Sequence, residues 1–220
     1  MDPSDHTDTL DALREHYAAK VREHGDSPAA VQWADRETQE RRMDVLAAIG
    51  DLRDAKVLDF GCGTGHLLTH LETHAGFRGE YVGYDLVPEM VELAAAKFPH
   101  ARFEVVDVLS DPPDAPEKPE EFDYVLVNGT FNNEVNDNWT LLTDLLRALV
   151  ARARRGVAFN LLSTYVDFRG EGLAYFEPER VFTFCKQEIS PYIVLRHDYE
   201  VRPGTGPYEM TVYAYTARPT

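Results

Sequence analysis

Apolar positions in the first quarter of the chain keep helical spacing. Leu10, Leu13, Tyr17 and Val21 recur at three- and four-residue intervals and make one stripe. Gly25-Asp26-Ser27-Pro28 interrupts it, with Ser27 suited to an N-cap and Pro28 to the first helical position. A second helical stretch, with Val31, Leu46 and Ile49 among its apolar positions, ends near Gly50. Residues 1–50 therefore read as a helical cap ahead of a second unit, 51–220. From Lys56 the rhythm changes. Short β-rich runs at Val57–Phe60, Tyr81–Tyr84, Phe103–Val106, Tyr124–Val127 and Val157–Leu162 alternate with helical stretches around Leu67–Leu71, Pro88–Phe98, Trp139–Ala153 and Pro178–Gln187.

Such alternation predicts an α/β domain, a mostly parallel sheet with helices on both faces. Two last β-rich runs, Tyr192–Arg196 and Met210–Tyr215, are joined by a loop with Pro203, Gly204, Gly206 and Pro207 and no crossover helix. They should pair antiparallel. The stretch Ser110–Glu121, with four prolines, reads as a surface connection. No internal repeat is present.

Composition narrows the function. The net charge is −16, with 38 acids against 22 bases, the wrong sign for an enzyme that must offset a phosphate backbone. Arg152, Arg154 and Arg155 lie close together, and the expectation is that they complement the end of the preceding helix. No apolar run is long enough to span a bilayer and no secretory signal opens the sequence, so membrane partners are not expected. Cys62 and Cys185 form no CxxC pair; they suit a reducing cytoplasm, and no metal site is expected.

The chemistry concentrates at Val57-Leu58-Asp59-Phe60-Gly61-Cys62-Gly63-Thr64-Gly65, an apolar strand running into three alternating glycines. Glycine permits positive φ and lets a ligand approach the backbone, and strand carboxyl ends are where open α/β sheets bind ligands. A dinucleotide fingerprint requires GxGxxG; here His66 stands where the third glycine belongs. Asp59 before the loop suits a cationic cofactor better than a pyrophosphate. Asp85, 20 residues beyond Gly65, closes the second β-rich run, where a carboxylate can accept ribose hydroxyls. Asp107 closes the third, either accepting from an adenine amine with Val108 along the ring, or as a solvated loop acid.

These stretches resemble the class I S-adenosylmethionine-dependent methyltransferases, with Val57–Gly65, Tyr81–Asp85, Asp107 and Phe122–Asn128 matching the first four motifs in order. The resemblance covers the chain from about Lys56 to the terminal strand pair. It implies a Rossmann-like, doubly wound seven-stranded sheet with an antiparallel C-terminal strand, and S-adenosylmethionine as cofactor. It also implies Asp59 near the methionyl ammonium, Gly61, Gly63 and Gly65 around the cofactor, Asp85 on the ribose, Leu86 on the adenine edge and Asp107 at the adenine amine. Asn128, after the fourth run, would border the transferred methyl. The prolines that follow this asparagine in amide-base methyltransferases are replaced by Gly129 and Thr130, which with the acidity counts against DNA adenine as acceptor.

A small-molecule acceptor is therefore expected, methylated at O or N by in-line transfer in which alignment does most of the work. Phe131, Asn132, Tyr165 and Arg169 are its candidate contacts, against the alternatives of loop capping and sheet-edge cover. His197 is a candidate general base or a structural histidine. In the cap, Trp33 offers an aromatic wall, and Arg41 or Arg42 either binds the methionyl carboxylate or lies exposed with Gln39. Three alternatives stand beside this reading: a non-catalytic cofactor-binding partner subunit, an aminopropyltransferase, for which only Glu134 supplies an acid near the fourth motif, and an NAD-dependent reductase. A monomer and a homodimer are both open.

Overall fold

The computed structural model describes residues 6–25, 36–110 and 119–219. Ser27, Pro28, Val31 and Trp33 lie outside the described residues, as does most of the proline-rich connection. In chain order the elements are α1 (Thr7–His24), α2 (Arg36–Ala47), β1 (Lys56–Phe60), α3 (His66–His74), β2 (Glu80–Asp85), α4 (Pro88–Lys97), β3 (Arg102–Val105), β4 (Phe122–Val127), α5 (Asn138–Val150), β5 (Ala153–Ser163), β6 (Tyr175–Phe176), α6 (Pro178–Phe184), β7 (Tyr192–Arg196) and β8 (Glu209–Tyr215). A π-helical turn, Cys185–Ile189, continues α6.

The strands form one sheet in the order β3-β2-β1-β4-β5-β8-β7, with the two-residue β6 added to β5. All pairings through β5 are parallel. β8 runs antiparallel to both β5 and β7, so the helix-free connection does reverse the chain. The sequence resemblance implied seven strands; β6 is the addition.

Period-two alternation distributes the strands' side chains to two apolar layers. Leu58 and Phe60 of β1 join Val125 and Val127 of β4 beneath Leu142, Leu146 and Leu149 of α5. Val57 joins Tyr124 and Leu126 beneath Leu46 of α2 and Leu67, Leu68 and Leu71 of α3. α2 is thus part of the packed layer on that face. α5 begins where the carboxylate of Asp137 accepts the Thr140 N–H at 2.9 Å, a side-chain N-cap.

The arginine cluster divides differently from expectation. Only Arg152 serves the helix end, donating to the Ala148 carbonyl at 2.7 Å. Arg154 pairs with Glu121 at 3.2 Å and Arg155 lies over the Tyr124 ring. The chain enters β5 at Ala153, so these two side chains belong to a strand.

Because β2 and β3 lie on one side of β1 and β4 lies on the other, the connections after β1 and β4 leave in different directions. The crevice at such a switch point is where this architecture places its ligand.

Candidate active site

β1 delivers the glycine loop to that crevice. The N–H groups of Gly61 and Cys62 both donate to the Tyr84 carbonyl, at 2.8 and 3.0 Å, pinning the loop to β2. Gly61 has φ +73°, and a Cβ there would stand 2.3 Å from Oγ1 of Thr130, a hydroxyl that donates to the Phe60 carbonyl at 3.1 Å. Only glycine fits. Gly65 has φ +81° at the start of α3, and a Cβ would meet the Phe98 ring at 2.8 Å. Its demand comes from helix packing, and it does not line the crevice.

Two carboxylates flank the loop, Asp59 buried and Asp85 half-buried. Asp59 is 2% exposed and accepts a hydrogen bond from the Tyr81 hydroxyl. Burial pushes its carboxyl up to about 7, with the Tyr81 hydroxyl opposing and the nearby Asp85 adding to the rise. Asp85 accepts the N–H of Gly63 at 2.8 Å through Oδ2 and that of Val87 at 2.9 Å through Oδ1. Desolvation raises it too, against the backbone N–H groups of Val87, Gly63 and Leu86. With about four lone-pair sites, the carboxylate keeps acceptor capacity beyond these donors. A pocket that buries Asp59 with no cationic partner among the described residues, and sets Asp85 beside it, is suited to a cation.

The crevice is lined by Asp59, Gly61, Gly63, Asp85, Leu86 and Asn128 of the predicted site residues. α1 adds Leu13, Arg14 and Tyr17, and α2 adds Gln39 and Met43. Nε of Arg14 donates to the Leu86 carbonyl at 3.1 Å. Nδ2 of Asn133 donates to the Tyr17 hydroxyl at 2.6 Å. α1 is thereby tied to the segments after β2 and after β4 at once, and β1 lies between those two strands. The helix crosses over the glycine loop. Gln39 contacts Nδ1 of His66 at 3.3 Å, and both line the crevice.

After β4, a carboxamide on β5 orders the chain. Asn160, 2% exposed, accepts the Gly129 N–H at 2.7 Å through Oδ1, and its Nδ2 donates to Oδ1 of Asn128 at 2.9 Å.

Other predicted residues stand elsewhere. Asp107 closes its own turn, accepting from Leu109 N–H at 2.9 Å and Ser110 Oγ at 2.6 Å, and Val108 is buried in the core. Phe131 packs edge-on against Phe159 in the core. The Asn132 carbonyl accepts the Ala174 N–H at 2.9 Å. Tyr165, 60% exposed, donates to Glu179, and Arg169 lies over the Tyr175 ring. His197 follows β7, its ring 6.1 Å from that of Tyr165. β7 is three strand positions from β4, about 14 Å of sheet. None of these seven lines the crevice.

The α2 arginines also differ from expectation. Arg42 is buried, donating through Nε to Glu209 at 2.7 Å and through Nη1 to the Thr38 carbonyl at 3.0 Å, while Arg41 is exposed. The arginine in the crevice is Arg14, which the sequence pattern hid inside an amphipathic helix. Asn160 was hidden similarly, as one polar residue in an apolar strand. Among the described residues no group of three or more His, Cys, Asp or Glu is placed to hold a metal ion, and no helix is long and apolar enough to cross a membrane.

A switch-point crevice, a glycine loop on β1 and acids closing β1 and β2 define the class I methyltransferase architecture. Comparison with known proteins agrees. Residues 51–158 match the family described as a methyltransferase domain. A protein of Mycobacterium tuberculosis named "Putative methyltransferase Rv1506c" is 34% identical over 160 residues, 70% of this chain and 89% of its own length. The chain belongs to this methyltransferase family. Among solved structures, magnesium protoporphyrin IX methyltransferase from Synechocystis PCC 6803 with bound S-adenosylmethionine superposes with a TM-score of 0.65 at 14% identity, covering 99% of this chain and 98% of its own. A TehB-like S-adenosylmethionine-dependent methyltransferase from Corynebacterium glutamicum gives 0.56 at 20% identity, covering 94% of this chain and 100% of its own. These two likenesses are of fold.

Proposed function

We propose that this protein transfers the methyl group of S-adenosylmethionine to an oxygen or nitrogen of a small molecule. The crossing of α1 over the glycine loop carries the small-molecule part. Tied down at Leu86 and Asn133, the helix walls one side of the crevice, which suits a metabolite that enters it and obstructs a polymer laid across the strand ends. The charge of −16 disfavours nucleic acid in the same direction.

The crevice residues fit the methyl donor. Asp59, buried without a cationic partner, suits its ammonium, the exposed backbone of Gly61 and Gly63 allows close approach, and the spare acceptor sites of Asp85 suit vicinal hydroxyls. The bound donor supplies a methyl group already activated by a sulfonium. What the protein adds is alignment: Asp59 and Asp85 hold the donor, and α1 forms one wall of the site.

Calorimetry with S-adenosylmethionine, S-adenosylhomocysteine and NAD tests the donor, and NAD binding alone would sink it. Transfer of tritiated methyl to a metabolite extract, with nucleic acids assayed in parallel, tests the acceptor. Label confined to nucleic acid would overturn the small-molecule reading.

A further inference from the structure

The hydrogen bonds around Asn160 determine which end of the Asn128 carboxamide faces the crevice. A carboxamide is ambiguous by itself, because its oxygen and nitrogen have nearly the same shape. Here the ambiguity is removed by a backbone group. The Gly129 N–H can only donate, so the Asn160 atom 2.7 Å from it is the oxygen. The other end of Asn160 is then NH2, and it meets Asn128 at 2.9 Å, so Asn128 must present its oxygen there. That leaves Nδ2 as the unbonded end of Asn128, a residue that lines the crevice, and it makes no hydrogen bond within the described residues. Asn160 is buried on a central strand, which holds the arrangement rigid.

From this relay we infer that the methyl acceptor is an oxyanion, such as a carboxylate, held by the Asn128 N–H, with Asn160 as a positioning residue. The inference rests on the methyl-transfer reading above. An amine attacks through a single lone pair, so an N–H aimed at that lone pair competes with the reaction, while the Asn128 oxygen that could accept from the amine's own N–H groups is turned toward Asn160. A carboxylate has about four lone-pair sites. One oxygen accepts from Asn128 while the other attacks.

The balance of the step agrees. A lone pair of the acceptor oxygen forms the new C–O bond as the bond from the methyl carbon to sulfur breaks. That electron pair stays on sulfur, which passes from sulfonium to thioether, and the acceptor loses one negative charge. No proton moves, so no general base is needed. The acids nearest the loop are placed for the donor instead, Asp59 beside Tyr81 and Asp85 on the N–H groups of Gly63 and Val87. His197 lies three strands away.

Two measurements test it. In 15N-labelled protein saturated with S-adenosylhomocysteine, the Asn160 side-chain NH2 should be protected from solvent exchange and that of Asn128 unprotected. Asn160→Asp replaces the donor facing Asn128 by an acceptor, so Asn128 should flip and its NH2 become protected. An Asn128 NH2 already protected by S-adenosylhomocysteine would mean that the donor serves the cofactor, and an unchanged amide in Asn160→Asp would mean that no relay exists. Either result overturns the inference.

The second measurement uses S-adenosylmethionine carrying a 13C methyl group and a metabolite extract, because the methyl carbon shift separates O-methyl from N-methyl products. O-methyl products are expected. Asn160→Asp should lower their formation about 10–100-fold, the range for one hydrogen bond to a charged group, with affinity for S-adenosylhomocysteine kept. Asn128→Asp, which retains the Asn160 donor bond and puts an oxygen toward the crevice, should give the same loss if the first variant does not fold. N-methyl products from the wild type would overturn the inference alone. An extract that takes up no label while the amide relay is as described would count against the small-molecule reading instead.

Discussion

Asp85 at the end of β2 accepts the N–H of Gly63 in the loop after β1, at 2.8 Å. One carboxylate therefore shapes the glycine loop and faces the crevice. Asp85→Ala should weaken S-adenosylmethionine binding by roughly 1–3 kcal/mol, the cost of lost hydrogen bonds to a charged group. Asp85→Asn, which keeps one oxygen for a backbone donor, should cost less. Calorimetry ranks the three proteins, and equal affinities would detach Asp85 from the cofactor site.

Asp59 should make stability depend on pH. Its carboxyl is raised by burial from 3.8 to about 7 in the folded protein. Below 3.8 both folded and unfolded chains hold the proton, and the stability is fully present. Between 3.8 and about 7 the unfolded chain ionises while the fold keeps its proton, so stability is lost as pH rises, by up to about 1.4 kcal/mol per pH unit. Above about 7 the contribution levels off. Because other acids also titrate, the measurement is the difference in denaturant unfolding between wild type and Asp59→Asn from pH 4 to pH 8. A difference independent of pH would refute the assignment.

Arg42 and Glu209 join α2 to β8 inside the protein. Arg42→Ala leaves a carboxylate buried alone and should destabilise by about 3–5 kcal/mol. The double change Arg42→Met with Glu209→Leu removes both charges and should recover most of that loss. Unfolding midpoints in urea decide the matter; a double variant no better than the single would show that the pair is not coupled.

Tyr17→Phe removes the acceptor for the Asn133 amide and one of the ties of α1 across the crevice. The expected cost is about 0.5–1.5 kcal/mol in cofactor affinity, with faster hydrogen exchange in α1. Exchange at its wild-type rate would mean that the Asn133 tie is dispensable and that the Arg14 bond to Leu86 and the apolar packing of α1 hold the helix.

Much of the architecture was legible because its signals are local. Two-residue alternation and three-to-four-residue stripes specify strands and helices within one segment, and a loop without room for a helix reverses the chain between β7 and β8. The glycine loop was legible for the same reason: positive φ and close approach are demands on neighbouring residues. Asp59 and Asp85 followed from their offsets to it, and both line the crevice.

Tertiary packing decided what spacing along the chain does not encode. Arg42 was read beside its neighbours in α2, whereas its partner Glu209 stands 167 residues away. Asp107 closes a β-rich run in the sequence as Asp85 does, yet β3 ends at Val105 and the turn after it folds back, setting the Asp107 carboxylate on Leu109 and Ser110. His197 has suitable chemistry, and the strand order places it outside the crevice, after a strand three positions from β4. Asn160 looks like a stray polar residue until β5 is laid beside β4. Then the Gly129 N–H orients one carboxamide and that carboxamide orients the next. The sequence alone determined the sheet, its helices and the loop that meets the methyl donor. The pairing of β4 with β5 and the crossing of α1 determined what faces the acceptor, because those contacts join segments whose separation in the chain bears no relation to their distance in space.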